Sequence, residues 1–278
     1  MTRRARRLAE AVAVRPRATA DVVRAIAVRT SLGGRCVLDG VDLAIRRGEV
    51  FVIMGPSGCG KTTMLRHLCG LLRPDSGSVY VDGRDLYAMG RSELDALRLR
   101  TGLAFQGGAL LGSLSVEDNV ALPLRENTAL PDAVIRQIAR MKLDMVGLLH
   151  AADQLPASLS GVMKKRAAIA RAIALDPDVV YLDEPTAGLD PIRAAEIDNL
   201  ILKLNAVFGI TMVVVTHDLP SAQEIAQRVA VFLDGRVARI GSRAEVWSDP
   251  DPRIQDFVRR RMREPASRDT GVGRHLTI

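Results

Sequence analysis

The run Gly55-Pro56-Ser57-Gly58-Cys59-Gly60-Lys61-Thr62-Thr63 fits the pattern G-x-x-x-x-G-K-[ST]. Small residues at these positions let backbone N–H groups turn inward around a β-phosphate. The start of a following helix adds its positive dipole. Lys61 is expected to reach the β- and γ-phosphates and Thr62 to ligate Mg²⁺, with the other seven residues completing the cradle. The competing explanation is a chance glycine-rich turn. The flanks argue against it, because the run follows the apolar stretch Glu49 to Met54 and precedes the helical pattern MLRHLCGLL.

Three further places carry side chains that fit phosphate chemistry. Asp183 and Glu184 follow the apolar run VVYL, so two adjacent carboxylates leave a buried strand pointing different ways. Asp183 is expected to hold Mg²⁺ through water and Glu184 to polarise the attacking water. Elsewhere such a pair is more often a solvated turn. His217 ends the run TMVVVT and suits a hydrogen bond to a γ-phosphate, and Gln106 suits positioning of water or metal. Each of these two carries weight only beside the others.

The stretch LSGVMKKR, Leu159 to Arg166, reads as a capped start of a basic helix. A serine N-cap with nothing to bind explains it equally well when it is taken alone. With a phosphate loop present, Ser160 Oγ, the free N–H groups around Gly161 and the helix dipole suit a phosphate held by a second copy of the chain.

The elements that must position these residues follow from periodicity. Between Asp21 and Arg47, short apolar runs broken at Leu32-Gly-Gly-Arg35 and Leu38-Asp-Gly-Val41 predict antiparallel strands with tight turns. Glu49 to Met54, Val179 to Leu182 and Ile210 to Val215 predict buried strands. Pro74 to Leu86 predicts a hairpin. From Ser92 to His150, Leu, Ala and Met at three- and four-residue spacing predict mostly helix. Pro265 to Ile278 reads as irregular. The implied fold is α/β: a parallel core sheet, an antiparallel flap and a helical insertion.

Composition limits the partners. The 278 residues suffice for one large domain or two small ones, and the net charge is +7. The first seventeen residues contribute +5 and residues 259–278 contribute +4, leaving the body between them slightly negative. Two such basic arms suit anionic lipid or nucleic acid, or are simply solvated. The first arm also has the Arg-rich, acid-poor look of a transit peptide, which an extended bacterial N-terminus explains as well. Cys36, Cys59 and Cys69 lack metal-ligand spacing and cannot all pair, which suits a reducing compartment. The longest apolar runs are too short to span a bilayer.

Taken in order and spacing, GPSGCGKTT, Gln106, LSGVMKKR, VVYLDEP, the loop Ala187 to Asp190 and His217 resemble the ATP-binding-cassette ATPase family over about residues 22–258. The resemblance implies a P-loop NTPase (RecA-like) core binding ATP and Mg²⁺, in a head-to-tail homodimer. Each ATP would then lie between the phosphate loop of one chain and Ser160 and Gly161 of the other. It also implies metal contacts from Thr62, Gln106 and Asp183, and catalytic roles for Glu184, His217 and Gln106. The expected organisation is a flexible basic arm at 1–20, a nucleotide-binding domain at 21–258 with a helical subdomain at about 107–165, and a basic tail at 259–278.

Four stretches narrow the likeness: FQGGALLGSLSVEDNVALPLREN, MKLDMVGL, Met163 to Arg166 and DPDPRIQDFV. They resemble the Mla/MCE-associated ATPases of phospholipid traffic in bacteria with a double envelope. That likeness implies an integral-membrane permease, an MCE-domain lipid-binding protein and a small STAS-domain protein as partners, at the cytoplasmic face of the inner membrane. A motor for another cargo (amino acid, metal or lipoprotein) is the alternative within transport. A soluble cassette acting on ribosomes or nucleic acid would resemble tandem cassettes or long coiled coils, and neither is present here. A binding module with dead chemistry would lack a Lys, Asp or Glu that this chain keeps.

Two residues depart from the family pattern. Val162 stands where glycine is usual, and its bulk is expected to face the partner's phosphate loop. Dimer closure should then be slower or weaker, and Val162→Gly should release phosphate faster. The aromatic that usually stacks on adenine is missing near residues 31–35. Leu32 is its stand-in, predicting a weaker preference for ATP over GTP.

Overall fold

The computed structural model describes residues 21–262, and of residues 259–262 only the backbone. The basic arm and most of the basic tail lie outside the described residues.

Strands β1 (Asp21–Leu32), β2 (Arg35–Arg46), β4 (Ser76–Val81) and β5 (Arg84–Asp85) form an antiparallel sheet in the order β2-β1-β4-β5. The β1–β2 connection is the two-residue turn Gly33-Gly34, with φ of 57° and 77°, the positive values that two-residue hairpin turns require. The expected second turn at Asp39-Gly40 is instead a bulge inside a continuous β2. Gly40 has φ of 70°, and the pairing slips between Val28↔Val41 and Thr30↔Leu38 without the strand reversing.

The larger sheet contains β3 (Val50–Met54), β6 (Thr101–Ala104), β7 (Val179–Asp183), β8 (Thr211–Thr216), β9 (Arg228–Leu233) and β10 (Arg236–Ser242), in the order β10-β9-β3-β8-β7-β6. All its pairings are parallel except β9–β10. Every residue of β3, β7 and β8 is buried, as strands covered on both faces must be. The period of two splits each strand between two cores. Val50, Val52 and Met54 join one apolar cluster, while Phe51 and Ile53 join the other with the antiparallel sheet.

Helices α1 (Lys61–Leu68), α2 (Arg91–Leu99), α3 (Val116–Asn127), α4 (Asp132–Met145), α5 (Gly161–Ala172), α6 (Pro191–Phe208), α7 (Leu219–Ile225), α8 (Arg243–Trp247) and α9 (Pro252–Met262) complete the described chain. The stretch from Ser92 to His150 is mostly helical, as expected, apart from β6, the loop at 105–115 that follows it and the short link at 128–131. That four-residue edge strand includes a glycine with no room for a side chain: a Cβ on Gly102 would stand 2.2 Å from the Ala172 carbonyl oxygen. Helices α3, α4 and α5 pack on one another beyond that edge. No described helix is long and apolar enough to cross a membrane.

Candidate functional site

The phosphate loop leaves β3 at Gly55 and enters α1 at Lys61. A Cβ on Gly55 would meet the Phe232 carbonyl oxygen at 2.2 Å, and one on Gly60 would meet Leu38 Cδ2 at 2.6 Å and the Val37 carbonyl oxygen at 2.8 Å. Glycine is therefore required at both positions by close approach as well as by positive φ. Pro56, Ser57 and Gly58 form the exposed apex, and Lys61 is buried. Lys61 Nζ donates to the carbonyl oxygens of Gly55, at 2.8 Å, and Pro56, at 2.9 Å. Cys59 turns its thiol inward against Gly55, and burial raises its pKa. What Cys59 can offer a phosphate is thus its backbone.

The carboxylates converge on this loop because parallel strands end at a common edge. Thr62, in the first turn of α1, donates from Oγ1 to Asp183 Oδ1 at 3.1 Å; Thr63 follows it, partly buried. Burial raises the Asp183 pKa, opposed by the Thr62 hydrogen bond. Glu184 is buried at 8% exposure and has a backbone φ of 51°, a left-handed conformation rare outside glycine. Its N–H donates to the Val215 carbonyl at 2.8 Å. Its Oε1 lies 2.6 Å from His217 Nδ1, and its Oε2 accepts from Thr216 Oγ1 at 3.4 Å. Asp183, Glu184 and His217 thus occupy the exits of two adjacent parallel strands, β7 and β8.

Gln106 is exposed on the loop that follows β6. A residue to which the sequence reading gave no role ties that loop to Glu184. Lys165 Nζ, on α5, donates to the carbonyl oxygens of both Gln106 and Glu184, the latter at 2.9 Å. Burial lowers the Lys165 pKa. Six residues on, Arg171 donates to the carbonyls of Gly108, at 2.8 Å, and Ala109, at 2.7 Å. The basic run after LSG was visible in the sequence, but which cation faces the site depends on how α5 packs.

Ser160 and Gly161 stand exposed at the start of α5. Ser160 Oγ accepts from Met163 N–H at 3.3 Å, and among the described residues no hydrogen bond joins this segment to the phosphate loop of its own chain. Val162 corrects the sequence expectation. Its side chain is 7% exposed and belongs to the apolar cluster with Leu159 and Ile169, so its bulk faces the core of its own chain. Leu32 is 44% exposed at the end of β1.

The site's chemistry fits a nucleoside triphosphate with a hard divalent cation. The loop offers backbone donors without side-chain bulk, and Thr62 and Asp183 place two oxygen donors together. Among the described residues no group of three or more His, Cys, Asp and Glu is disposed to hold a metal alone. A small cation would therefore share phosphate oxygens and water with Thr62 and Asp183, as Mg²⁺ does when few carboxylates serve it.

The family model described as "ABC transporter" matches residues 38–187. The intermembrane phospholipid transport system ATP-binding protein MlaF of Escherichia coli K12 is 45% identical over 226 residues, covering 81% of this chain and 84% of that protein. The probable ribonucleotide transport ATP-binding protein mkl of Mycobacterium tuberculosis H37Rv is 39% identical, over 82% of this chain and 64% of that protein. Among solved structures, the dimeric post-hydrolysis state of the ATP-binding cassette MJ0796 with ADP and Pi has a TM-score of 0.73 at 36% identity, covering 79% of this chain and 98% of that one. A phosphate loop, strand-end carboxylates and an α/β cassette matched along most of its length place this chain in the ABC transporter family, as an ATP-hydrolysing ATP-binding cassette.

Proposed function

We propose that this chain is the ATP-hydrolysing subunit of a transporter that moves phospholipids between the membranes of a bacterial envelope and so maintains outer-membrane lipid. The observation that carries this reading is the 45% identity to MlaF over 81% of the chain. The cassette at 21–258, with its helical subdomain at about 107–165, works as a homodimer on an integral-membrane permease at the cytoplasmic face of the inner membrane. An MCE-domain lipid-binding protein and a small STAS-domain protein complete the assembly. The dimeric state of MJ0796 supports the homodimer.

Each residue has a role in this reading. The N–H groups of Gly55 to Thr63 hold the phosphates of ATP, and Lys61 exchanges its carbonyl partners for β- and γ-phosphate oxygens. Thr62, Asp183 and Gln106 would hold Mg²⁺, which when bound neutralises phosphate charge. Ser160 and Gly161 contact the nucleotide held by the partner. Glu184 accepts a proton from the attacking water; the water oxygen bonds to the γ-phosphorus, and the bond to the departing ADP breaks. His217, held on Glu184 Oε1, supports the orientation of that carboxylate and meets the γ-phosphate.

The test is purification of the tagged full-length chain from membranes in mild detergent, identifying every protein and lipid that accompanies it. A permease, an MCE-domain protein and phospholipid are the expected companions. The 39% identity to mkl favours a second reading, the same motor with a different cargo. A different permease would support that reading, and a chain carrying nucleic acid would overturn both.

A further inference from the structure

The left-handed backbone of Glu184, φ 51°, is costly for a residue with a side chain and persists only where its surroundings over-determine it. Five hydrogen bonds hold this residue. Three come from β8 and its exit: the Val215 carbonyl, Thr216 Oγ1 and His217 Nδ1. The other two fall on its carbonyl: the Ala187 N–H of its own loop donates at 3.3 Å, and Lys165 Nζ donates at 2.9 Å, the contact that comes from α5. The same ammonium donates to the Gln106 carbonyl. An ammonium has three donors and no acceptor, so one side chain can fasten two carbonyls at once.

We propose that Lys165 is a positioning residue, a latch that fixes the Glu184 backbone and the Gln106 loop to helix α5. Arg171 fastens the next residues of that loop to the same helix through the carbonyls of Gly108 and Ala109. A shift of α5 therefore carries the loop with it and pulls on the Glu184 carbonyl. The start of α5 is Ser160 and Gly161. On the reading above, in which those two residues meet the partner's nucleotide, Lys165 makes each chain's catalytic carboxylate respond to the nucleotide bound by the other chain. The attachment is a pair of hydrogen bonds from one charged group, so the latch can yield without unfolding the helix.

Lys165→Met keeps the bulk of the side chain and removes the donor, whereas Lys165→Arg keeps a cation with donors. The measurements are steady-state ATP hydrolysis by the full-length chain purified with its membrane subunits, and amide hydrogen exchange of residues 182–187. Loss of a charge-assisted bond predicts that Lys165→Met lowers kcat about tenfold, with KM within about twofold, and raises exchange in that segment about tenfold. Lys165→Arg should recover most of both. Turnover by Lys165→Met within about twofold of wild type would overturn the latch. So would a rise in exchange throughout the chain, or a change in KM alone.

Ser160→Arg, assayed alongside, separates this inference from the reading it rests on. An inactive Ser160→Arg with a fully active Lys165→Met removes the latch and leaves the partner contact standing. A fully active Ser160→Arg removes the partner contact, and the latch is then judged on its own exchange and kcat results.

Discussion

Thr62 Oγ1 and Asp183 Oδ1 share a hydrogen bond of 3.1 Å although 121 positions separate them in the chain. Thr62 follows β3 and Asp183 ends β7, and β8 lies between those strands in the sheet. The contact therefore joins the start of α1 to the end of β7 across an intervening strand. Thr62→Val keeps the shape and removes the oxygen. Mg²⁺-dependent hydrolysis should then need at least about tenfold more Mg²⁺ for half-maximal rate. A magnesium titration reads this directly, and an unchanged midpoint would remove Thr62 from the metal site.

Glu184 and His217 make a second pair, at 2.6 Å. Glu184→Gln keeps the size of the side chain and removes the proton acceptor. Nucleotide binding should survive while turnover falls by about a hundredfold or more, the usual contribution of a general base. Equilibrium binding of ATP and phosphate release on the same preparation separate the two effects. Full turnover would take the base assignment away from Glu184.

Val162 shows how structure redirects a prediction made from residue type. Its side chain lies in the core, so Val162→Gly should not accelerate phosphate release by freeing the partner's approach. It should instead destabilise the chain by about 2 kcal/mol, through a cavity and a flexible residue in the first turn of α5. Thermal melting and phosphate release on one preparation decide the matter. Faster release at an unchanged melting temperature would restore the steric explanation.

The residues to which phosphate binding and cleavage are assigned above were legible because the chemistry proposed for them is local. A glycine pattern between a buried strand and a helix, and carboxylates at a strand exit, need only a few consecutive positions to be recognised. Lys165 was not legible, because two lysines are adjacent in the basic run and only the packing of α5 decides which one reaches Gln106 and Glu184. The inward face of Val162 left a signal that went unread: Leu159, Val162 and Ile169 recur at helical spacing on one buried face. So did the β9–β10 hairpin, where Asp234-Gly235 stands between two apolar runs with φ of 50° and 75°. Strand β6, with four residues including Gly102, is too short for periodicity to find. Its burial comes from β7 and the close approach of Ala172.

Asp198, on α6, is 4% exposed and accepts a hydrogen bond from Ser221 Oγ of α7 at 2.6 Å. Burial pushes its pKa up from 3.8 to about 6, opposed by the Ser221 bond and reinforced by Asp218 and Glu224. The folded chain therefore binds this proton more tightly than the unfolded chain does. The resulting stability is fully present below about pH 4 and is lost as pH rises to about 6, a change of roughly 2–3 kcal/mol. Asp198→Asn still offers Ser221 an oxygen but has no charge to bury. Its melting temperature should exceed that of wild type at about pH 8 and match it at about pH 4. Equal differences at both pH values would show that Asp198 does not titrate in this window, and that its effect on α6 and α7 is one of packing alone.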